Sequence, residues 1–180
     1  MYWKNDGAPA EYPTPAENMN IKRFPEIEDA KNRWLDIARY MDSVTEELIK
    51  TNPSFFEETM ANMPNFKEDG CFFVTVNGVP AATVTVICDR VRGSGYIHMV
   101  CAKPEYRGFE IGHLLNRIAE YALKSEGMET AHLTTDDFRI PAIKSYLAAG
   151  YTPDLVSEPD FSERWEKIFK IIKENKPQGV

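Results

Sequence analysis

The sequence predicts an α/β protein, α+β in its arrangement, and two neighbouring stretches indicate this class. Residues 96–102 carry apolar side chains on both parities, which is typical of a strand that is covered on both faces near the middle of a sheet. Beyond a short loop, apolar residues recur at helical spacing from Ile111 up to Gly127, a residue that suits a helix C-terminus. We therefore expect the other elements to be arranged around a central strand, a tight loop and a long helix.

Composition and charge limit the class of protein. A chain of 180 residues with 43% hydrophobic content can bury one substantial core. Its net charge of −7 argues against nucleic acid as a partner. Without a membrane-spanning run or a secretory leader, we expect a cytoplasmic protein that has no membrane partner. The 3 cysteines are widely spaced within predicted strands, which favours small buried side chains over disulfides or a metal site.

The first half of the chain shows turn and cap signals that divide it into elements. Three prolines without periodicity indicate an extended arm at the N-terminus, and Asn77-Gly78 is a strong hairpin turn. In chain order we predict an arm at residues 1–18, a strand at 19–24, a helix after Pro25, a less regular helical stretch from Val44 that restarts at Asn52-Pro53, and hairpin strands at 71–76 and 80–88.

The second half of the chain continues the alternation of strands and helices. Residues 131–135 alternate as a strand does, and residues 141–150 predict a short helix that ends at Gly150. A short sixth strand is predicted at 151–156. A last helix opens at Asp160, with Glu163 placed to complete a capping box, and ends before Pro177.

The loop between the central strand and the long helix is a candidate anion site. Its backbone N–H groups lie at the positive end of a helix, where a phosphate is stabilised. The Lys-Ser/Thr ending of a P-loop is absent, because Gly112 is followed by His113-Leu114, and there is no third glycine for a dinucleotide fingerprint.

Residues 102–112 resemble motif A of the GCN5-related N-acetyltransferases (GNAT family), which reads Gln/Arg-x-x-Gly-x-Gly/Ala and wraps the pyrophosphate of acetyl-CoA. Arg107 and Gly112 match this motif, whereas Glu110 stands where its first glycine belongs. A carboxylate beside a pyrophosphate repels it unless the side chain turns to solvent.

Residues 139–151 resemble the family's motif B, Asn-x-x-Ala-Ile-x-x-Tyr-x-x-x-Gly-Phe/Tyr. Arg139 replaces the asparagine, and the matching residues are Ala142, Ile143, Tyr146, Gly150 and Tyr151. The two motifs occur in family order and at family spacing. The resemblance implies a single GNAT acyltransferase domain over residues 19–180, with a mixed, mostly antiparallel sheet of six or seven strands. Helices flank both faces of that sheet, which is splayed between its fourth and fifth strands.

The resemblance implies an N-acetyltransferase that uses acetyl-CoA as co-substrate, with direct attack by a primary amine in a ternary complex. Tyr146 is our candidate for the acid, since a phenol with a pKa of about 10 is protonated at neutral pH and can donate to a leaving thiolate of pKa about 8.5. The alternative is a tyrosine that only packs one face of a short helix. Because motif A is also present, we favour the role of Tyr146 as the acid.

Two residues compete for the role of base. His98 is the one ionisable side chain in the apolar run of the central strand, and burial keeps an imidazole neutral. Arylalkylamine acetyltransferases of this family carry a histidine at the matching position as a proton relay. A structural role for His98, as a core histidine bonded to a neighbour, is given equal weight. Asp136 is the competing base, with helix capping or pairing with Arg139 as its alternatives. His113 and His132 are weaker candidates.

The resemblance also implies the cofactor contacts. Backbone groups of Val100, Cys101 and Ala102 are expected to meet the pantetheine arm at the unpaired strand edge. Arg107 is a candidate phosphate contact, Arg139 stands at the position of the family's amide, and the pyrophosphate is expected at main-chain N–H groups of Gly108, Phe109, Glu110, Ile111, Gly112 and His113.

The acceptor and the assembly remain open at the level of sequence. A small-molecule or peptide amine is implied, and the acidic residues Asp42, Glu46, Glu47, Glu57 and Glu58 favour a cationic one, unless they only form a solvated helix face. Monomer and homodimer are both compatible with the sequence. The alternative function is a non-catalytic acyl-CoA-binding or regulatory module on the same fold.

Overall fold

A computed structural model describes residues 1–108 and 110–174 of the chain. It contains a 6-stranded sheet in the order β1-β6-β5-β4-β3-β2, in which only β5 and β6 are parallel. The strands are β1 (Tyr2–Lys4), β2 (Met19–Arg23), β3 (Cys71–Val76), β4 (Val79–Asp89), β5 (Ser94–Ala102) and β6 (Thr130–Leu133). The helices are α1 (Ala30–Ala38), α2 (Ser43–Thr51), α3 (Ile111–Ser125), α4 (Ile140–Ala148) and α5 (Phe161–Glu174). The predicted fold class, a mixed and mostly antiparallel sheet flanked by helices, is confirmed.

The sheet separates two cores. Side chains of α3, α4 and α5 pack on one face, whereas α1 and the segment around Phe55, Phe56 and Met60 pack on the other. The central strand β5 contributes Ile97 to the first core and Cys101 to the second, so both of its faces are covered as predicted. These two residues have the same strand parity, and an irregularity in the β4–β5 pairing puts them on opposite faces. No helix in the described part of the chain has the length and the apolar composition needed to cross a bilayer.

The predicted hairpin turn is present, and two of the three cysteines are buried as predicted. Asn77 and Gly78 both have positive φ, 50° and 82°, which is the geometry of a two-residue hairpin turn between β3 and β4. Cys71, Cys88 and Cys101 are free thiols, of which Cys71 and Cys101 are buried.

The N-terminal and C-terminal flanks differ from the sequence prediction. Residues Tyr2–Lys4, at the start of the predicted arm, form an edge strand antiparallel to β6. The strand predicted at 151–156 is wrong: Thr152 makes a single isolated bridge to Tyr2, and Pro153 has no N–H with which to continue the ladder. The predicted end of the last helix before Pro177 lies outside the described residues.

The helical segment after β2 is also less regular than predicted. Residues Phe24–Glu26 form a 3-10 turn, so α1 starts only at Ala30. The predicted restart at Asn52 becomes a π-helical turn over Glu57–Ala61, closed by the Asn62 N–H donating to Glu57 O at 2.8 Å.

The sheet opens between β5 and β6. These strands pair only from Ser94 to Ile97, so the rest of β5 pairs with β4 alone. The β4–β5 register shifts between Thr83 and Thr85, which leaves one extra residue on β5, and Met99 there has a φ of 51°. Because a bulge bends a strand, β5 turns away from β6 beyond Ile97. Because the edge strand Tyr2–Lys4 precedes the predicted strands, β5 and β6 are the fourth and fifth strands of the prediction, and the splay between them is confirmed.

Gly95 allows α3 to lie directly on β5, and its replacement is expected to destabilise the fold. A Cβ at Gly95 would overlap the side chain of Leu123, which is fully buried. We expect Gly95→Ala to lower the free energy of unfolding by about 1–3 kcal/mol through overpacking, as measured by urea denaturation. Gly112→Ala is the control, since its Cβ would lie at an ordinary 3.5 Å from Ser145 Oγ. An equal loss in both variants would contradict this account.

Candidate functional site

A cavity of about 260 Å³ lies against the open edge of β5. Its walls come from β5, from the segment that follows β6 and from α4, with Met41 closing one side. The lining residues are Met41, Tyr96, Ile97, His98, Met99, Val100, Thr134, Thr135, Asp136, Arg139, Ala142 and Tyr146. Five residues that the sequence singles out thus meet in one place: His98, Val100, Asp136, Arg139 and Tyr146.

The loop after β5 leads from the open edge to the N-terminus of α3. Gly108 has a φ of 88°, and Glu110, the residue that precedes α3, has a φ of 58°. Glu110 is exposed, and among the described residues its side chain makes no capping bond to α3. The first N–H groups of a helix have no intrahelical partner, so those of Ile111, Gly112 and His113 are available to an anion. Phe109, also predicted for this site, lies outside the described residues.

Arg107 ties the end of β5 to the end of α1. Its Nε donates to Ala102 O at 3.2 Å, and its Nη2 donates to Tyr40 O at 2.8 Å. A second tie joins Lys103 Nζ to Asp36 Oδ2 at 2.6 Å. These contacts fix the position of the loop relative to the open edge, a role for Arg107 that differs from the predicted phosphate contact.

Tyr146 is held beneath the cavity by the packing of α4. The side chain is 8% exposed and its ring lies 5.9 Å from that of Tyr151, measured between centroids. Burial raises the pKa of Tyr146 to about 12, against the opposing effect of Arg139. The phenol is therefore protonated at neutral pH.

Asn116 positions α4, and the sequence analysis missed it. Its Nδ2 lies on α3 and donates to Ser145 O at 3.1 Å and to Ser145 Oγ at 2.8 Å. Asn116 is buried among the apolar residues of α3. A polar residue within the apolar stripe of a predicted helix was the available signal, because a buried amide needs partners.

His98 is half-buried and both of its ring nitrogens have a partner. Nε2 lies 3.0 Å from Thr59 O, and Nδ1 lies 3.1 Å from Tyr96 Oη. A carbonyl only accepts, so Nε2 carries the hydrogen and Nδ1 accepts from the Tyr96 hydroxyl. Burial lowers the pKa of His98, partly offset by the bond to Thr59, so the ring is neutral at pH 7.

Arg139 connects the cavity to α2. Its Nε lies 3.0 Å from Asp136 Oδ2, and its Nη2 contacts Asp42 Oδ2. Asp42 caps α2 by accepting a hydrogen bond from the Thr45 N–H at 2.7 Å. The pairing of Asp136 with Arg139, one alternative that the sequence left open, is therefore present, and Arg139 spans from α4 to α2.

The remaining candidates lie outside the centre of the cavity. Cys101 Sγ donates to Ile37 O at 3.2 Å on the α1 side, and burial raises its pKa to about 11. The thiol is therefore neutral and turned away from the cavity. His113 is exposed in the first turn of α3, and the ring of His132 stacks on Tyr96 with centroids 4.8 Å apart.

A sequence profile described as "Acetyltransferase (GNAT) family" matches residues 39–151. This range contains every residue that lines the cavity as well as the loop and the N-terminus of α3. A comparison with curated protein sequences gave no match.

Solved structures with a similar fold include three acetyltransferases. One from Bacillus subtilis in complex with CoA is 15% identical, with a TM-score of 0.57, over 76% of this chain and 78% of that chain. One of the GNAT family from Staphylococcus aureus is 16% identical, with a TM-score of 0.58, over 79% and 90% of the two chains. One described as an acetyltransferase from Pyrococcus horikoshii is 13% identical, with a TM-score of 0.52, over 80% of this chain.

These likenesses show the fold alone, since the identities are low. The chain covers only 47% of the Pyrococcus horikoshii protein, so it spans about half of that relative's length.

The ion pair between Asp42 and Arg139 is expected to make stability depend on pH. Burial raises the pKa of Asp42, but the Thr45 N–H and Arg139 lower it more, and the net shift is downward. A lowered native pKa stabilises the fold above the unfolded value of about 3.9, and this stabilisation is lost as the pH falls through the native pKa.

We expect Asp42→Asn, which can still cap α2, to lower the free energy of unfolding by about 1 kcal/mol at pH 7. Thermal melts from pH 7 to pH 2 should show the difference from the parent protein shrinking below about pH 4 and vanishing only once the pH lies below the native pKa of Asp42. The control is Glu47→Gln, a neighbouring exposed carboxylate. A constant difference across this range would contradict the role of the charge.

Proposed function

Because this chain belongs to the acetyltransferase (GNAT) family, we propose that it transfers the acetyl group of acetyl-CoA to a primary amine by direct attack in a ternary complex. The observation that carries this proposal is the open edge of β5, which ends at the free N-terminus of α3 and faces Tyr146 across the cavity. This arrangement offers an edge for an extended ligand arm, an anion site and a proton donor.

We assign the pantetheine arm to the edge formed by Val100, Cys101 and Ala102, where its amides replace the missing strand. The pyrophosphate is assigned to the N–H groups that follow Gly108 and Glu110. The Bacillus subtilis neighbour in complex with CoA supports an acyl-CoA ligand for this fold.

Tyr146 is the proposed proton donor to the leaving sulfur. A thiol has a pKa of about 8.5, well below that of the buried phenol, so a complete transfer from Tyr146 is unfavourable in the resting site. Its contribution is a hydrogen bond that strengthens as the thiolate develops.

His98 is the proposed base. Its neutral ring carries a lone pair on Nδ1, which accepts from the Tyr96 hydroxyl at the cavity wall, whereas the carboxylate of Asp136 is held by Arg139. Cys101 is protonated and bonded to α1, which favours direct attack over a cysteine-bound intermediate.

The test of this function is thiol release from acetyl-CoA with a panel of primary amines, together with Tyr146→Phe. We expect this variant to lower the chemical rate by about one to three orders of magnitude with little change in CoA affinity, because it removes one hydrogen-bond donor. Tyr151→Phe is the matched control, since Tyr151 packs beside Tyr146 but does not line the cavity.

Two outcomes would contradict the proposal. Unchanged turnover in Tyr146→Phe would remove Tyr146 from the chemistry. Thermal stabilisation by CoA without thiol release from any amine would favour the non-catalytic acyl-CoA-binding module instead.

Glu110 tests the assigned pyrophosphate site. Its φ of 58° lies in the left-handed region, which costs a non-glycine residue about 1–2 kcal/mol, and its carboxylate repels a phosphate. We expect Glu110→Gln to tighten CoA by about 1 kcal/mol at low salt and less at high salt, because only the charge is removed.

Glu110→Gly should give the same gain in affinity and also raise the melting temperature of the free protein, since it relieves the backbone strain. Calorimetric titration at two ionic strengths and thermal melts measure the two effects. Weaker CoA binding in both variants would show that the carboxylate orders the loop and would contradict this assignment.

A further inference from the structure

Both ring nitrogens of His98 are already hydrogen-bonded within the protein, so neither is available to a ligand in the cavity. Nε2–H donates to Thr59 O, and Nδ1 accepts from Tyr96 Oη. An amine in the cavity therefore has no free nitrogen of His98 to reach. The Tyr96 oxygen, however, keeps its lone pairs once its hydrogen is directed to Nδ1.

The tautomer of His98 is determined by a backbone irregularity. Thr59 lies inside the π-helical turn Glu57–Ala61, and its carbonyl faces the imidazole from the opposite side to Tyr96. A carbonyl cannot donate, so the hydrogen must lie on Nε2 and the lone pair on Nδ1. The direction of the Tyr96 hydroxyl follows from the tautomer.

The ring of Tyr96 is clamped between two imidazoles. It lies 5.0 Å from the ring of His98 on its own strand and 4.8 Å from that of His132 on β6, measured between centroids. The second pair is nearly parallel, at 17°, because Tyr96 and His132 are register partners in the β5–β6 ladder. The hydroxyl is thus held at the wall of the cavity.

One neighbour completes the environment of the hydroxyl. Thr134 Oγ1 lies 3.5 Å from Tyr96 Oη, at the limit of a hydrogen bond. Since the hydrogen of Tyr96 is directed to His98, Thr134 can only be the donor in this contact. Such a weak donor is readily displaced by the N–H of an incoming amine.

We propose that Tyr96 is a catalytic residue that takes the proton of the attacking amine while it passes its own proton to His98. This inference rests on the acetyltransferase reaction proposed above. As the C–N bond forms from the nitrogen lone pair, the nitrogen becomes cationic and gives a proton to Tyr96 Oη. The former Tyr96 proton moves to Nδ1, which leaves an imidazolium bonded to Thr59 O.

The remaining step balances the charge. The C–S bond breaks, its electron pair stays on sulfur, and the developing thiolate accepts a hydrogen bond from Tyr146. The imidazolium then releases its proton to water, and the thiolate takes one proton from water. In total one proton leaves the amine and one arrives on the thiol of CoA.

The first test needs no substrate. Nitrogen-15 NMR of the imidazoles in the free protein should show His98 as the Nε2–H tautomer, with Nδ1 as a hydrogen-bond acceptor. In Tyr96→Phe the tautomer should persist, while the Nδ1 resonance moves toward the value of a free lone pair. An Nδ1–H tautomer in the parent protein would overturn the proposal, because Tyr96 could not donate to it.

The second test is a double-mutant cycle, using a primary amine that the parent protein acetylates. Tyr96→Phe keeps the stacked ring and removes the hydroxyl, and we expect kcat to fall by about 100-fold or more with KM for acetyl-CoA unchanged. His98→Gln should cost a similar factor. The double variant should cost little more than either single one, because the two groups act as a unit.

The pH profile separates the relay from the other titratable groups around the cavity. His132, Asp136, Arg139 and Tyr146 all remain in each variant, so an ionisation that disappears only with His98 belongs to the relay. Tyr121→Phe is the control for a lost tyrosine hydroxyl and should keep full activity, because Tyr121 packs against Tyr12 and does not line the cavity.

Three outcomes decide between the proposals. Multiplicative losses in the double variant, or full activity in Tyr96→Phe, would overturn the relay and leave the acetyltransferase proposal standing. A parent protein that binds CoA but acetylates no amine would overturn both.

Discussion

The loss of pairing between β5 and β6 beyond Ile97 is the constraint on which the site depends. A parallel pair that continued to Ala102 would satisfy the edge of β5 and leave no room for a ligand between the strands. The extra residue at Met99, at positive φ, turns the strand, and a non-glycine residue holds that conformation only where its surroundings enforce it. The cavity, the open edge and the direction of the loop toward α3 all follow from this bend.

Ion pairs and hydrogen bonds of charged side chains join the two sides of the opening. Helix α2 has no fully buried residue, and its apolar contact with the second core is made by the partly buried Ile49. Arg139, on the far side of the cavity, contacts Asp42 at the start of α2, and Arg107 and Lys103 tie the end of β5 to α1. Partly buried ion pairs of this kind fix geometry even where their net contribution to stability is small.

Elements with local signals were predictable from the sequence, and those with distant partners were not. The Asn77-Gly78 turn and the double-sided strand at 96–102 carry their own patterns, and both are present. The edge strand Tyr2–Lys4 forms because β6, far along the chain, offers it a pairing partner. It was not predictable, since a segment of three residues is too short to show a periodic pattern. The strand predicted at 151–156 fails for the opposite reason. Its apolar residues suggest a strand, but in the fold this segment pairs with β1 only through the single bridge between Thr152 and Tyr2.

The same distinction applies to the site. His98, Asp136, Arg139 and Tyr146 were named from motifs and strand position, and they line one cavity, although their roles remain proposals. The contacts that define their chemistry came from the fold: Thr59 is 39 residues from His98, and Asp42 is 97 residues from Arg139. Strand parity, which places residues two apart on the same face, was the one available signal for Tyr96 beside His98.

Burial acts on the proposed acid and base in opposite directions, and this leaves both neutral in the resting site. It raises the pKa of the Tyr146 phenol and lowers that of the His98 imidazole, because in each case the charged form is the one that loses hydration. Two titratable groups whose pKa values are pushed apart by their surroundings can serve as donor and acceptor at the same pH. A charge then appears on either residue only when the reaction itself supplies it, while the one positive charge of Arg139 is shared between the carboxylates of Asp136 and Asp42 at the edge of the cavity.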